Sequence, residues 1–248
     1  MITTRSLRAI SHPLKTLSLP PSRIVPPSDE ALLSKCIFTL SSAFAHVPCT
    51  NAFANESNQT VHSYVDKTIR DSLRSHNGII VSSANASAVA LWEIPPPLSS
   101  ATTSSPQQPG TGASTLGSGH GHGGPIKTEW NITIQSFKKK HLGVDRETGS
   151  VRAHYHLDFL ARNPHTPKIA GAISSVVLPL LARAEQESLG VWLEATSDEL
   201  VPLYRHFGFR VVEEINVGVG RVDGQGQIKQ GGEGVRAWLM VVDNCEVS

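Results

Sequence analysis

The sequence is poor in the features that most quickly assign a class. Its 248 residues include only three cysteines, Cys36, Cys49 and Cys245, with no Cys-x-x-Cys spacing. That excludes a disulfide framework or a thiolate zinc site legible in the sequence, and leaves buried, inert thiols as the reading. Charge of one sign is not in excess either: 22 Lys+Arg face 21 Asp+Glu, a formal net charge of +1. A dedicated nucleic-acid binder or a polybasic membrane sensor needs more positive charge than this. No stretch approaches the ~20 apolar residues of a membrane span, and no apolar signal core follows Met1. Hydrophobic residues make up 39% and aromatics 6%, so part of the length is expected to stay unpacked. The expectation is a soluble, cytoplasmic protein without nucleic-acid or membrane partners. Nothing in the sequence fixes its oligomeric state.

Glycine position is informative. Seven of the 20 glycines lie between Gly110 and Gly124 and seven more between Gly218 and Gly234, and both clusters read as loops. In residues 95–124, 22 of 30 are Gly, Pro, Ser or Thr, and none is a fixed charge. Such a segment cannot bury enough apolar surface to offset its ordering entropy. It reads as a disordered insertion at 95–127 in a single domain over 16–248, behind a flexible tail at 1–15. His120 and His122 within it are too few for a metal site, and no metal is expected. The N-terminal stretch carries Arg5, Arg8, Lys15 and Arg23 and no acid before Asp29. This also fits a mitochondrial presequence, the alternative location.

Local patterns supply the elements. Thr16 to Ile24 alternates as a strand. Ser28-Asp29-Glu30 offers a capping Ser and two acids ahead of Leu32, Leu33, Ile37, Leu40 and Phe44. A second helix spans Val61 to Arg74. Ile79 to Ser82 and Ala88 to Glu93 suit an antiparallel hairpin. Trp130, Ile134, Phe137 and His141 mark a further helix, whose Lys138-Lys139-Lys140 run reads as a solvated face or as a contact for phosphate.

The second half orders as strand, loop, helix, strand. His154 to Leu160 alternates, with Tyr155, Leu157 and Phe159 on one face and His154, His156 and Asp158 on the other. Val176, Val177, Leu180, Leu181 and Ala184 recur at helical spacing with Pro179 among them, and Val191 to Thr196 is again a strand. This order implies a parallel crossover. A short helix over Leu200 to Phe207, a stop at Gly208, and strands at Phe209 to Val219 and Val235 to Val242 complete it.

With Trp192-Leu193-Glu194-Ala195-Thr196, Leu203-Tyr204-Arg205-His206-Phe207-Gly208-Phe209, Ser174-Ser175-Val176-Val177-Leu178-Pro179 and Arg236-Ala237-Trp238-Leu239-Met240, the chain resembles the GNAT superfamily of acyl-CoA N-acyltransferases. The pattern is nearest to puromycin N-acetyltransferase and its relatives. The resemblance is firm over residues 155–242. It implies an α/β (α+β) fold with a mixed, mostly antiparallel sheet, a central parallel strand-helix-strand unit and helices on both faces. The implied activity is transfer of acetyl from acetyl-CoA to a small amine or peptide amine by direct attack in a ternary complex. The implied alternative is a catalytically lapsed fold that serves as a CoA-binding or interaction module.

The resemblance also distributes roles. Tyr204 matches the general acid that protonates the departing thiolate. Glu194, His156 and Asp158 are candidate bases, and Glu93 is a further one. Leu160, Ala161 and Arg162 match the strand that pairs with pantetheine. Lys168, Ile169, Ala170, Gly171, Ala172, Ile173 and Ser174 match the pyrophosphate loop, where orphan helix amides favour anions. Ile173 departs from the Gly or Ala of the family pattern and supports the lapsed alternative. Without the resemblance, this loop reads as an ordinary turn capped by Thr166 or Ser174.

Overall fold

The computed structural model describes residues 19–75, 77–95 and 124–244. The expected tail, His120, His122, Cys245 and most of the expected insertion lie outside them. Pro125 to Lys127, counted in that insertion, instead form the first turn of a helix. The chain runs β1 (Ser22–Val25), α1 (Glu30–Phe44), α2 (Pro48–Glu56), α3 (Val61–Arg74), β2 (Gly78–Ser83), β3 (Ala88–Glu93), α4 (Pro125–Leu142), β4 (His154–Arg162), α5 (Ala172–Gln186), β5 (Gly190–Ala195), α6 (Val201–His206), β6 (Arg210–Val217) and β7 (Val235–Val242). Seven strands form one sheet in the order β1-β2-β3-β4-β5-β7-β6. All neighbours are antiparallel except β4 and β5. This is the mixed sheet that the resemblance implies, with the parallel crossover that the hydrophobic pattern anticipates.

Two layers of helix cover the sheet. On one face α5 and α6 pack Val176, Val177, Leu180 and Tyr204 against Tyr155, Leu157 and Leu193. On the other, α1 and α3 cover the β1 to β4 side around Ile80 and Leu91. There α2 and α4 cover β5, β7 and β6 around Trp192 and Leu239. Burial pushes the Cys36 thiol up to about 11 and Cys49 to about 12, as inert core thiols require.

Several local expectations are corrected. Asp29, not Ser28, caps α1: its carboxylate accepts from the Leu32 amide at 3.2 Å. The first strand is limited to Ser22–Val25, so the alternation over residues 19–21 is not strand. Helix α2, with Pro48 in its first turn, carries no strong amphipathic stripe and was not expected. Most consequential is β4. Leu91 pairs with Phe159 but Trp92 pairs with Leu157, so Asp158 is an extra residue on β4, a bulge. The bulge breaks the alternation, and Phe159 packs with the α1 side while Tyr155 and Leu157 pack with α5.

The edge strand β1 is tied to α5 by a consequence of Pro179. Proline has no amide to give the carbonyl four residues earlier, that of Ser175. Ser22 Oγ donates to this carbonyl at 2.7 Å instead. Ser22→Ala is therefore expected to cost about 1 kcal/mol. In a Pro179→Ala background, where an amide can reclaim the Ser175 carbonyl, the cost should shrink. Chemical-denaturation curves of the four variants measure that coupling, and equal costs in both backgrounds would refute it.

Candidate active site

The parallel pairing of β4 with β5 is short. It runs from His154↔Gly190 to Leu157↔Leu193 and then stops. At the Asp158 bulge β4 leaves β5, and residues 159–162 keep β3 as partner but, among the described residues, have no strand on the β5 side. Leu160, Ala161 and Arg162 lie on this open edge. An edge with unpaired backbone amides and carbonyls can accept an extended polar ligand as a further strand.

Beyond Arg162 the chain makes a loop in which Lys168, Ile169 and Ala170 are exposed, and returns as α5. Gly171 precedes the helix in the left-handed conformation, φ +77°, and among the described residues no side chain caps the helix. The expected caps Thr166 and Ser174 are thus not used. Ala172 N–H reaches the Ile169 carbonyl, and the first helical bond is Ser175 N–H to Gly171 C=O at 2.8 Å. The amides of Ile173 and Ser174 come before that bond, where an anion is favoured by orphan donors and by the helix dipole. The Ile173 side chain packs on the α5-side core, so its β-branch points into the protein interior. Its physical argument for a lapsed site therefore weakens.

On the opposite face from α5, three strands bring carboxylates to one imidazole. His156 on β4 meets Glu194 of β5 through Nε2 at 2.9 Å and Glu93 of β3 through Nδ1 at 3.3 Å. Trp192 Nε1 donates to the other Glu194 oxygen at 2.7 Å. Side-chain exposure is 12% for His156 and 8% for Glu194, against 49% for Glu93. The row therefore leads from a buried carboxylate to a half-exposed one.

The charges of this row reinforce each other. Burial and Lys138 act to lower the His156 pKa, but Glu194 and Glu93 outweigh them and carry it to about 9. Burial acts to raise Glu194, yet His156 holds it at about 2. Hydrogen bonding to His156 takes Glu93 to about 2 as well. Asp158 is raised by burial, and burial with Lys138 nearby depresses His154 to about 3. At neutral pH His156 is an imidazolium between two carboxylates and is not itself a free base.

Helix α4 roofs this row. Its core-facing residues are Ile126, Trp130, Ile134, Lys138 and Leu142, one every four positions. Lys138 is thus on the apolar stripe and only 4% exposed. This corrects the expectation of a solvated lysine run, which holds for Lys139 and Lys140 alone. Leu142 sits where a side chain on Gly190 would be, 2.7 Å from the position of a Cβ. Lys138 lies one turn of α4 before Leu142. Burial lowers its proton affinity, opposed by Glu194, Glu93 and Asp158. Lys127, a second cation of α4, lies over the Phe53 ring at 4.7 Å.

Tyr204 projects from α6 into the α5-side core, 7% exposed and edge-on to Phe209 at 6.1 Å. Burial, with the Glu194 charge, raises its pKa well above the ordinary phenol. It is therefore a proton donor at neutral pH. The structure gathers Glu93, His156, Asp158 and Glu194 on one side of the sheet and places Tyr204 on the other. A shallow open depression of about 620 Å³, lined by Pro125, Thr128, Glu129 and Ile132, lies on the outer side of α4 and takes no part in this cluster. Sequence reasoning missed Lys127, Lys138 and the Trp192 indole. For Lys138 the signal was there, a lysine exactly in step with four apolar residues at a spacing of four. Among the described residues no group of three or more His, Cys, Asp or Glu is arranged to hold a metal ion.

The His156–Glu194 pair makes stability depend on pH. His156 is raised from 6.5, so its contribution is complete below 6.5 and is lost as pH rises through about 9. Glu194 is lowered from 4.5, so its contribution is complete above 4.5 and is lost as pH falls through about 2. Glu194→Gln should therefore cost about 3 kcal/mol or more near pH 5.5 and much less above pH ~9.5. Denaturant midpoints at the two pH values test this, and a cost independent of pH would refute the pairing.

No family model matches the sequence. Two curated Saccharomyces cerevisiae proteins are similar to parts of it. Increased recombination centers protein 11 is 26% identical over 111 residues, 45% of this chain and 66% of that one. An uncharacterised protein is 30% identical over 88 residues, 36% of this chain and 38% of that one. The chain thus spans less than two thirds of the length of either. Among solved structures, arylalkylamine N-acetyltransferase 2 from Aedes aegypti superposes with a TM-score of 0.53 at 13% identity, over 90% of this chain and 98% of that one. A Corynebacterium glutamicum structure, described as histone acetyltransferase HPA2 and related acetyltransferase, gives 0.51 at 16% identity, over 90% and 95%. At such identities the similarity speaks for architecture, and the architecture of this chain is the GNAT fold of the acetyltransferases.

Proposed function

We propose that the chain is an acetyl-CoA-dependent N-acetyltransferase that moves acetyl to a primary amine by direct attack. The observation that carries the reading is the parting of β4 and β5 after Leu157↔Leu193, with the first-turn amides of α5 beyond one end. Pantetheine would add to the open edge of β4 at Leu160, Ala161 and Arg162, as a strand adds to a sheet. Pyrophosphate would be held by the backbone of Gly171, Ala172, Ile173 and Ser174, with Lys168, Ile169 and Ala170 forming the approach. Lys168 contributes charge there; the other contacts are made by the main chain.

The chemistry divides between the two faces. An amine must lose a proton before attacking the thioester carbonyl, and the Glu194–His156–Glu93 row supplies a path from the buried site to solvent. Asp158, at the bulge, is the carboxyl nearest the opening. Tyr204 gives its proton to the sulfur as the carbon–sulfur bond breaks. The acceptor class, small amine or peptide amine, follows from the fold resemblance. The nearer likeness to puromycin N-acetyltransferase rests on the sequence pattern alone. A second reading, a CoA-binding or interaction module that no longer catalyses, is favoured by one observation: α2 and α4 fill the acceptor-side face with Phe53, Trp130 and Ile134.

Three measurements test the first reading, and turnover with an accepted amine separates it from the second. Acetyl-CoA and CoA should each raise the melting temperature, since a ligand that binds only the native state stabilises it by mass action. Absence of any shift overturns the reading. Tyr204→Phe should leave acetyl-CoA affinity nearly unchanged and reduce free-thiol release by ~10²-fold with an accepted amine. A folded variant with undiminished turnover removes Tyr204 from the mechanism. Gly171→Ala should weaken acetyl-CoA binding, because a Cβ at φ +77° is strained and meets Leu19 and Pro20 at 3.2 Å. Wild-type affinity in that variant would place the pyrophosphate elsewhere.

A further inference from the structure

The first turn of α5 is held from outside the helix as well as from within. Its entry residue Gly171 is in the left-handed conformation, and Pro179 withholds the amide that the Ser175 carbonyl would otherwise receive. The holding converges on Ser175. Its N–H donates to the Gly171 carbonyl at 2.8 Å and its hydroxyl to the Ala172 carbonyl, also at 2.8 Å. Its own carbonyl accepts from Ser22 Oγ at 2.7 Å, across 153 residues of sequence. The next carbonyl, that of Val176, accepts from the Trp92 indole at 3.2 Å. Ser175 is 2% exposed, so the Ser22 bond ends on a carbonyl shielded from water. The same N-terminal segment also backs the glycine. Side-chain carbons of Leu19 and Pro20 lie 3.2 Å from where a Cβ on Gly171 would stand.

We propose that Ser22 is a positioning residue for acetyl-CoA: through Ser175 it fixes the first turn of α5, whose Ile173 and Ser174 amides take the pyrophosphate. The proposal rests on the acetyl-CoA reading above. Ser22 does not itself touch the ligand. It limits the freedom of the turn before the ligand arrives, so less order has to be created on binding. Strand β1 suits this use, since it is only four residues long and, among the described residues, has β2 as its strand neighbour. Its link to α5 ties the edge of the sheet to the loop. Without the Ser22 hydroxyl the Ser175 carbonyl loses its donor, and Pro179 cannot supply another. The turn is then looser and its amides face the pyrophosphate for less of the time. Pantetheine, paired with the open edge of β4, makes no use of those amides. Ligands that carry pyrophosphate are therefore the ones that depend on Ser22.

The experiment uses the full chain and measures Kd by calorimetry for acetyl-CoA and for acetyl-pantetheine, which lacks the pyrophosphate and the nucleotide. Melting curves set a temperature at which every variant is folded. Ser22→Ala should weaken acetyl-CoA binding about fivefold, as loss of one net hydrogen bond would, and leave acetyl-pantetheine unchanged. Ser22→Thr keeps a hydroxyl on a residue suited to a strand and should bind acetyl-CoA as the wild type does. In a Pro179→Ala background an amide can reach the Ser175 carbonyl, so Ser22→Ala should there leave acetyl-CoA affinity unchanged. Leu19→Ala removes a half-exposed support of Gly171 and spares the Ser22 bond. It should weaken acetyl-CoA and not acetyl-pantetheine, and it serves if Ser22→Ala does not fold. Where acetyl-pantetheine does not register, the Ser22→Thr and Pro179→Ala arms decide on acetyl-CoA alone. Equal losses for the two ligands, or a lower melting temperature with acetyl-CoA affinity intact, overturn the proposal and leave the acetyl-CoA reading standing. No binding of acetyl-CoA by the wild type overturns both.

Discussion

An imidazolium held between two carboxylates under a helix constrains much of this molecule. His156 draws Glu194 from β5 and Glu93 from β3 toward β4, and Trp192 secures the far oxygen of Glu194. Removing one partner would leave a buried charge uncompensated, which is why such rows are held or lost together. The same row requires a roof that excludes water yet tolerates charge. Helix α4 meets both demands by placing Lys138 in line with Trp130 and Ile134. Its N-terminus needs an anion to satisfy its first amides, and Glu56 supplies one from α2. The position of α2 is thus tied to the electrostatics of the sheet below α4.

Legibility in the sequence followed the range of the forces involved. Helix α3 and strand β7 fall within the expected bounds because their patterns are local and complete. Thr60 caps α3 through its side chain at Ser63, and β7 alternates without a bulge on its β5 side. Helix α2 escaped because its nine residues mix Thr, Asn and Ala with few large apolar groups. It is held by tertiary contacts, including Asn55 Nδ2 to the Gly226 carbonyl at 3.0 Å, which no local pattern reports. The bulge at Asp158 escaped for a related reason. Strand periodicity assigns faces only while the ladder stays regular, and one inserted residue moved Phe159 to the other side.

The candidate site was legible as residue types and not as an arrangement. His156, Asp158 and Glu194 sit on strands whose polar positions stand out against apolar neighbours, so each could be picked singly. Their union with Glu93 depends on the register of three strands, and that register depends on the bulge. Lys138 was read by composition, as part of a basic run, when its phase on α4 was the better guide. A charged residue in step with an apolar stripe is either an error of register or a buried group with partners. The carboxylates beneath α4 make it the second.

The separation of roles across the sheet follows from the same bulge. The bulge coincides with the end of the β4–β5 pairing, after which β4 keeps β3 as its neighbour. With it, backbone amides of β4 face an opening that has carboxylates on one side of the sheet and a protonated phenol on the other. A ligand that occupied this opening would have groups able to accept a proton on one face and a group able to donate one on the other. Such an arrangement separates deprotonation of a nucleophile from protonation of a leaving group by the thickness of one sheet. The two proton-handling groups then need no direct contact, and each can keep the pKa its own environment imposes. Burial, with the Glu194 charge, raises Tyr204 as a donor, while the ionised pair on the other face stays charged through its own hydrogen bonds.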